Sequence, residues 1–567
     1  MYAADRQSAQ VEARCRKHDS IVDVSYNWDN KGFVATNTYA ATSALTEALS
    51  LTVKAKDGQG TEFTINLEAP NFIWQNPEIK QDAAYENGQK GSIVEMFGWP
   101  HADVEAECEA LGKMGWMGVK VFPAMESVMS DEWPQQGELN PWYFYYQPVS
   151  YNLQGRGGDR DSLRSLIKTC RSHGVRVYAD AVVNHMSGGG NDIQNHRNGS
   201  GSCTTWGGKS TSSSAPSPYF THNWTFEKSA NGQIPANEYP AAAVGVMDFH
   251  CERGLSSWTD PFQLNYGWLS GLTDIDTEGE YMQDRIAAYM TDLISIGFSG
   301  YRIDAAKHIK PQSLSEILAK VKRNLGGGDL PEDFITYLEV LIGGEAGLLM
   351  CDDGDYQYTT SFDKKMSTAG LSDSDIAKVK IWSSDYPKEM PICGSWVIPA
   401  SRFAIENDCH DDQNPGSSSR DMQDKGSVLI KDKDVPKHRA FEELLFNRTD
   451  ADWKIRLVLS SYTFMNDGAA GVPDGKSDCA KCVGAQCSSC NKSMKYSKAH
   501  DPEVCGYTCE VDGAWKEGVY TRVHRDYDII QAMRKWQGLS SVTDATALGL
   551  PGNCGSSAKS NPVEFLQ

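Results

Sequence analysis

A strand-then-helix rhythm that runs from residue 91 to about residue 465 limits the fold more than any other feature of the chain. Residues 92–97 form an apolar strand, the amphipathic residues 102–114 follow it, and residues 119–123 are again strand-like. The same pattern predicts helices over 161–173 and 280–296, and strands over 175–183, 300–303, 334–340, 402–405 and 454–464. Repeated βα units of this length predict a parallel sheet, either open or closed as a barrel.

Three other stretches depart from this rhythm. Residues 20–75 alternate apolar and polar positions between turn signals, which predicts a small antiparallel β domain. Residues 186–272 lack a helical period and are too long for an ordinary connection, so they predict an inserted subdomain. The predicted units are a β domain over 1–90, a catalytic barrel over 91–185 and 273–540, the insertion over 186–272 and a cysteine-rich insert over 474–513.

Composition excludes several classes of partner. The chain of 567 residues has 54 Lys plus Arg and 75 Asp plus Glu, a formal net charge of −21. Nucleic acid and anionic membranes repel a polyanion, so neither is expected as a partner. No apolar run reaches the roughly 20 residues that span a bilayer.

Cysteine content and glycosylation sequons favour secretion. The fifteen cysteines suggest an oxidising compartment. Sequons for N-glycosylation occur at Asn198, Asn223, Asn447 and Asn491. The first residues lack a signal peptide, and we expect a secreted, monomeric protein from which that signal has been removed.

Charged and imidazole side chains cluster where apolar strands end. A carboxylate that closes a buried parallel strand is costly unless it is paired, and barrel enzymes build their sites at these ends. The clusters are Asp180, Asn184 and His185; Arg302, Asp304, Lys307 and His308; Tyr337 and Glu339; and Asp408, His410, Asp411 and Asp412. Four such clusters together predict an active site.

The order and spacing of these clusters resemble the four sequence regions of the α-amylase family of glycoside hydrolases. Residues 141–151 (PWYFYYQPVSY) and 174–186 (GVRVYADAVVNHM) resemble the animal-type α-amylases in particular. The resemblance covers about 91–465. It implies a (β/α)₈ TIM barrel with a subdomain after the third strand, to which the sequence adds a separate antiparallel β domain at the N-terminus.

The resemblance also implies roles for three carboxylates. It places the nucleophile at Asp304, the general acid/base at Glu339 and a transition-state-stabilising carboxylate at Asp411. A retaining glycosidase needs one carboxylate to attack the anomeric carbon and a second, protonated carboxyl to donate to the leaving oxygen. We expect Arg302 to favour the ionised nucleophile. Glu345 is the alternative acid, but it follows two glycines in a loop, whereas Glu339 ends an apolar strand.

Further residues are implied to bind the sugar chain. Those matched by the resemblance or suited to contact with pyranose rings are Trp142, Tyr143, Tyr146, Gln147, Asp180, His185, Arg302, Lys307, His308 and His410. Aromatic rings offer large apolar areas for stacking on sugar faces.

Calcium is the implied metal, since the family's site takes oxygen ligands. Its predicted ligands are Asn184 and Asp274, with backbone carbonyls near Asn265 and His308. Animal-type enzymes have an asparagine before the histidine of the fourth region, which helps to bind an activating chloride. Cys409 stands there instead, so no chloride requirement is expected.

The N-terminal β domain and the cysteines leave alternatives open. That domain is either the family's C-terminal domain, moved by circular permutation, or a starch-binding module. Cys108 and Cys170 lie where the family has a disulfide, and Cys203 with Cys251 is a weaker pairing. The six cysteines from Cys479 to Cys509 form either a disulfide-linked insert, which we favour, or a zinc site.

The combined prediction is a secreted, calcium-dependent α-amylase. It would cleave α-1,4-glucosidic bonds inside starch, glycogen or maltooligosaccharides and retain the anomeric configuration. The alternatives are an α-glucan transglycosylase that uses the same carboxylates and a non-catalytic glucan-binding protein.

Overall fold

The structure of the protein is a computed structural model. It describes residues 1–15, 21–45, 47–68, 71, 89–130, 142–155, 157–188, 219–221, 239, 242–245, 248–250, 253–341, 349, 358–382, 398–413, 435–461, 500, 502, 510–511, 514–515 and 522–554. Within these residues no helix has the length and apolar character needed to cross a membrane.

Eight parallel strands close into a barrel, which confirms the predicted fold class. In chain order these are β7 (Gly91–Phe97), β8 (Gly118–Val121), β10 (Arg176–Ala181), β14 (Gly300–Ile303), β15 (Ile335–Glu339), β16 (Val379–Trp382), β17 (Phe403–Glu406) and β18 (Ile455–Ser461). Strand β18 pairs with β7 over seven residue pairs and closes the ring. The sequence analysis missed β16, which has only four residues.

Helices pack around the outside of this ring: α1 (His101–Met114), α2 (Arg160–Ser172), α4 (Glu280–Ser295), α5 (Pro311–Asn324), α6 (Thr360–Ala369), α7 (Asp373–Ala377), α8 (Val435–Asn447) and α9 (Tyr527–Gln537). The short helix α3 (Pro261–Tyr266) instead contacts the turn over residues 306–308. The first helix ends at Gly115 and the second near Gly174, both glycines in the left-handed conformation. A disulfide joins Cys108 of α1 to Cys170 of α2, as predicted.

The interior of the barrel is layered. Ile93, Tyr178, Ile335 and Leu457 belong to an apolar cluster that fills the barrel. Above it, toward the C-terminal ends of the strands, the inward-facing side chains are charged. A second, larger cluster packs between the strands and the helices. The apolar layer therefore supports a polar layer at the end where barrel enzymes build their sites.

The N-terminal segment forms antiparallel sheets of its own. Strands β2 (Ile21–Trp28), β3 (Phe33–Val34), β5 (Ser50–Asp57) and β6 (Glu62–Glu68) lie in the order β3-β2-β5-β6, and β1 (Ala9–Glu12) pairs with β4 (Thr38–Ala41). Tyr26, Trp28 and Leu51 form part of a small core. The choice between a permuted domain and a starch-binding module stays a prediction.

The remaining strands are short antiparallel pairs. They are β9 (Val128–Ser130) with β12 (Tyr219–Thr221), β11 (His185–Gly188) with β13 (Leu272–Asp274), and β19 (Glu510–Val511) with β20 (Ala514–Trp515). Several predictions lie outside the described residues: Cys203, Cys251, the cysteines 479–509, Glu345 and the sequons at Asn198, Asn223 and Asn491.

Candidate active site

Arg302 is the centre of the polar layer. It lies on β14, where Gly300 has a φ of 141° and sits so close to β15 that a Cβ would lie 1.8 Å from the carbonyl oxygen of Ile335. One guanidinium nitrogen, Nη1, lies 2.7 Å from Asp180 and 3.0 Å from Asp304, while Nη2 lies 2.7 Å from Glu339. The structure thus brings three of the predicted acids onto one buried cation.

The two predicted catalytic carboxylates are held from adjacent strands. Asp304 follows the last residue of β14, and Glu339 ends β15. Directly after Asp304 the backbone turns at Ala305, a non-glycine residue with a φ of 48°. Its N–H donates to Oε2 of Glu339 at 2.6 Å. Backbone strain of this kind costs roughly 1–3 kcal/mol and clusters at functional sites.

Two buried charged residues that the sequence analysis missed extend this arrangement. Glu95 on β7 is opposite Lys120 on β8 in the strand register, and Lys120 Nζ lies 2.9 Å from Glu95 and 2.7 Å from Asp180. Charges therefore alternate from Glu95 through Lys120 and Asp180 to Arg302. The sequence does carry a signal for this pair, because each of two short apolar strands has one charged residue in its middle. That pattern could have predicted a buried ion pair.

Burial and charge set the ionisation of this layer. Burial opposes ionisation of Asp180, but Arg302 and Lys120 outweigh it and lower the pKa of that carboxyl. Burial and the charge of Glu339 raise the pKa of Asp304 well above its usual value, although Arg302 opposes them. Arg302 therefore favours the ionised form of Asp304, as expected, but burial and the charge of Glu339 outweigh its effect.

The fourth cluster places a histidine and an acid at the cleft. His410 Nδ1 lies 2.6 Å from Glu95, and its Nε2 lies 3.8 Å from Asp411. Asp408, another acid of this cluster, is buried, and its Oδ2 lies 2.9 Å from His438 Nε2. Asp411, with a quarter of its side chain exposed, is the better placed of the two for substrate.

The aromatic residues predicted to bind sugar differ in how deeply they are buried. Tyr146 is buried, donates its hydroxyl hydrogen bond to Asp180 at 2.9 Å and stacks near His410. Tyr143 is half-buried, and of Trp142 the structure describes only the backbone, in a short 3₁₀ helix. Gln147 accepts a hydrogen bond from the N–H of Gly188, at the start of the insertion.

His185, the histidine of the first cluster, contacts the backbone of the segment that carries these aromatic residues. His185 Nε2 lies 3.0 Å from the carbonyl oxygen of Tyr146, and burial lowers the pKa of His185 to about 4. A neutral imidazole can therefore hydrogen-bond to an uncharged sugar hydroxyl.

Lys307 and His308 lie on the turn after Asp304. Lys307 Nζ donates to the carbonyl oxygen of Leu341 and also lies 4.7 Å from the ring of Trp258. Trp258, which the sequence analysis did not single out, is 43% exposed. An exposed indole beside these two residues offers a further surface for a sugar ring.

Two of the predicted calcium ligands, Asn184 and Asp274, are hydrogen-bonded to each other, and a third, Asn265, bonds to a neighbouring backbone carbonyl. Asn184 Nδ2 donates to Oδ1 of Asp274 at 3.3 Å, and Asn265 Nδ2 donates to the carbonyl oxygen of Lys307 at 3.2 Å. Oδ1 of Asn265 is buried and accepts no hydrogen bond from the described residues. The buried amide oxygen of Asn265 and the carboxylate of Asp274 are each the type of ligand that Ca²⁺ prefers.

Asp274 also contacts a histidine that the sequence analysis missed. His250 Nδ1 lies 2.6 Å from Oδ2 of Asp274, and its Nε2 lies 2.8 Å from Glu278 and 3.4 Å from Asp276. Burial opposes a charged imidazole, but hydrogen bonds to these three acids raise the pKa of His250 to about 11. Among the described residues, one ligand atom each from His250, Asp276 and Glu278 lie within 4.8 Å of one another, a spacing that could hold a metal ion.

Part of the barrel is similar in sequence to known alpha-amylases. Residues 107–333 match the family model described as alpha amylase, catalytic domain. The chain is 34% identical over 294 residues to an alpha-amylase of Oryzias latipes, and these residues are 50% of this chain and 49% of that protein. It is 31% identical over 357 residues to the pancreatic alpha-amylase of Sus scrofa, which is 61% of each chain.

The matches are partial in length. The chain spans about half the length of the curated relatives it matches. A solved structure of alpha-amylase I from Eisenia fetida superposes with a TM-score of 0.49 at 20% identity, covering 79% of this chain and 77% of that one.

Proposed function

We propose that this chain is a glycoside hydrolase of the α-amylase family and that it hydrolyses α-1,4-glucosidic bonds inside starch, glycogen and maltooligosaccharides with retention of configuration. The observation that supports it is the pair Asp304 and Glu339, each hydrogen-bonded to a different nitrogen of Arg302 at the C-terminal end of the barrel. A pair of carboxyl groups beside one cleft is what glycoside hydrolysis requires.

The reaction would divide between these two groups. Glu339 donates a proton to the glycosidic oxygen while Asp304 attacks the anomeric carbon, which gives a covalent glycosyl-enzyme. With the proton on Glu339, one of the negative charges that raise the pKa of Asp304 is removed; burial still raises that pKa, and Arg302 lowers it. After the leaving sugar departs, Glu339 takes a proton from water, which attacks the same carbon and releases Asp304.

Neighbouring groups would orient the sugar. Asp411 would stabilise the positive charge that develops on the ring, and His185 and His410 would bind hydroxyl groups. Asp180 has a fully buried side chain, so it would act by holding Arg302 and Tyr146 in place. Trp142, Tyr143, Lys307 and His308 would contact the chain on either side of the cleaved bond.

Calcium would be held by Asn184 and Asp274, with carbonyl oxygens near Asn265 and His308. A bound Ca²⁺ supplies positive charge that ties the insertion to the barrel, and no proton or bond transfer involves it. Secretion is part of the proposal, and the Cys108–Cys170 disulfide supports it because disulfides persist in oxidising compartments.

Chloride would not be required for activity. Cys409, which stands where animal-type enzymes have an asparagine, is buried. We expect equal rates of starch hydrolysis in chloride and in acetate buffers of the same ionic strength. A strong increase in rate on addition of chloride would contradict this expectation.

The proposed activity is tested with the whole chain on soluble starch. Reducing ends should accumulate, and proton NMR of the first products should show the α anomer. Rearranged or cyclic glucans without new reducing ends would favour the transglycosylase alternative, and binding without any change in the glucan would favour a non-catalytic protein. Cellulose, with β-1,4 bonds, serves as the control substrate and should remain intact.

A further inference from the structure

Glu95 is a buried acid that the proposed chemistry does not use. It lies in the middle of β7, an apolar strand, with 4% of its side chain exposed. Its Oε1 is 2.9 Å from Lys120 Nζ and 2.6 Å from His410 Nδ1. Burial opposes its ionisation, but Lys120 and His410 outweigh burial and hold the pKa of Glu95 well below its usual range.

The ring of His410 is fixed from a second direction by the same strand. Phe97, two residues after Glu95, stacks on the imidazole with ring centroids 4.4 Å apart and planes 10° apart. Tyr146 lies parallel to it at 5.6 Å. The stacking sets the plane of the ring, and the hydrogen bond from Nδ1 sets its rotation within that plane.

The two contacts together determine which nitrogen of His410 faces the cleft. An ionised carboxylate accepts hydrogen bonds only, so Nδ1 must carry a proton. Nε2 is then left on the side of Asp411, 3.8 Å away. The hydrogen bond made by one imidazole nitrogen decides the chemistry of the other.

We propose that Glu95, held by Lys120, is a positioning residue that fixes the rotation and the Nδ1 proton of His410 for contact with the substrate. The proposal rests on the proposed function, since it assigns His410 to substrate binding. Through Lys120 the same carboxylate is connected to Asp180 and Arg302, so the ring and the catalytic pair are supported by one series of ion pairs.

Kinetics of Glu95→Gln, His410→Ala and the double variant on starch test this role. Glu95→Gln should lower kcat by about 10- to 100-fold with a much smaller change in KM, as expected when a group that acts in the reaction is misplaced. In the His410→Ala background the same change should lower kcat by no more than about twofold, because its target is already gone. An equal loss in both backgrounds, or a folded Glu95→Gln variant with full activity, would overturn the proposal.

Glu107→Gln is the matched control. Glu107 is equally buried and also contacts a histidine and a cation, His500 and Arg525, but it lies on α1 outside the barrel. Both variants should lose stability, as thermal unfolding would show. Only Glu95→Gln should lose kcat when rates are measured well below both midpoints.

A second measurement does not depend on the variant folding. The histidine rings of the wild-type protein are labelled with ¹⁵N, and the His410 signal is assigned as the one that disappears in the His410→Gln variant. In the wild type this signal should show a proton on Nδ1. An Nδ1 without a proton would overturn the proposal whatever the kinetics. If the wild type releases no reducing ends from starch, the proposed function fails, and the NMR result still decides whether Glu95 fixes the ring.

Discussion

A single guanidinium group holds together the chemistry of this site. Arg302 contacts Asp180, Asp304 and Glu339, so one positive charge is shared among three carboxyl groups. Because a buried ion left without its partner costs several kcal/mol, each of these acids constrains the others. Replacing any one of these acids is therefore expected to alter the contacts of Arg302 with the other two.

At the same scale, His101 makes the stability of the fold depend on pH. It is buried at the start of α1, with Nδ1 3.0 Å from Ser162 Oγ, and burial lowers its pKa to about 4. An unfolded histidine has a pKa of about 6.5, so this contribution is fully present above pH 6.5 and is lost as pH falls toward 4. His101→Gln should reduce the loss of unfolding free energy between pH 7 and 4.5 by about 2–3 kcal/mol.

Urea unfolding at the two pH values measures this effect. His173→Gln is the control, since His173 is exposed at the end of α2 and its replacement should leave the loss unchanged. If His101→Gln loses as much stability on acidification as the wild type does, burial of His101 is not the cause.

At the scale of elements, the sequence predicted seven of the eight barrel strands because their apolar runs are long or end in charged clusters. It missed β16, whose four residues are too few for a periodicity argument. It also missed Glu95 and Lys120, because their role depends on the register of β7 with β8, which the strand sequences do not contain. Asp304 and Glu339 were accessible from sequence since each follows or ends a recognisable strand.

The disulfide between α1 and α2 stabilises this pair of elements. Cys108 and Cys170 are 62 residues apart, and a loop of that length predicts a stabilisation of about 4 kcal/mol through the unfolded state. The Cys108→Ser, Cys170→Ser double variant should lose that amount in urea unfolding. Cys15→Ser, which changes an exposed free cysteine, should lose nothing measurable, and an equal effect of both changes would contradict the assignment.

For the whole molecule, the N-terminal segment is attached to the outside of the barrel. The Tyr2 N–H donates to the carbonyl oxygen of Asn324 at 2.7 Å, and Arg14 lies 2.8 Å from Asp284 of α4. Its sheet leaves Phe33 and Phe63 partly exposed. The net charge of −21 is compatible with the proposed glucan substrate, because a neutral polymer needs no electrostatic attraction to the protein.

Removal of calcium should affect the molecule as a whole. A ligand at 100 times its Kd stabilises the folded state by about 2.7 kcal/mol, so a chelator should lower the thermal midpoint and added Ca²⁺ should restore it. Asn184→Ala and Asp274→Ala should each weaken this response. Asp544→Ala, which removes an exposed acid that caps a short helix, should keep it. A midpoint that is independent of both chelator and Ca²⁺ would contradict the calcium proposal.

Glu339 is the proposed proton donor of a glucan hydrolase, and the Glu339→Gln variant tests that role. The amide keeps the size of the side chain but cannot donate the proton, so the rate of reducing-end release from starch should fall by about 10²–10⁴-fold. The variant should remain folded, and Glu107→Gln should retain near wild-type kcat. A folded Glu339→Gln variant that cleaves starch at the wild-type rate would show that the donor is elsewhere.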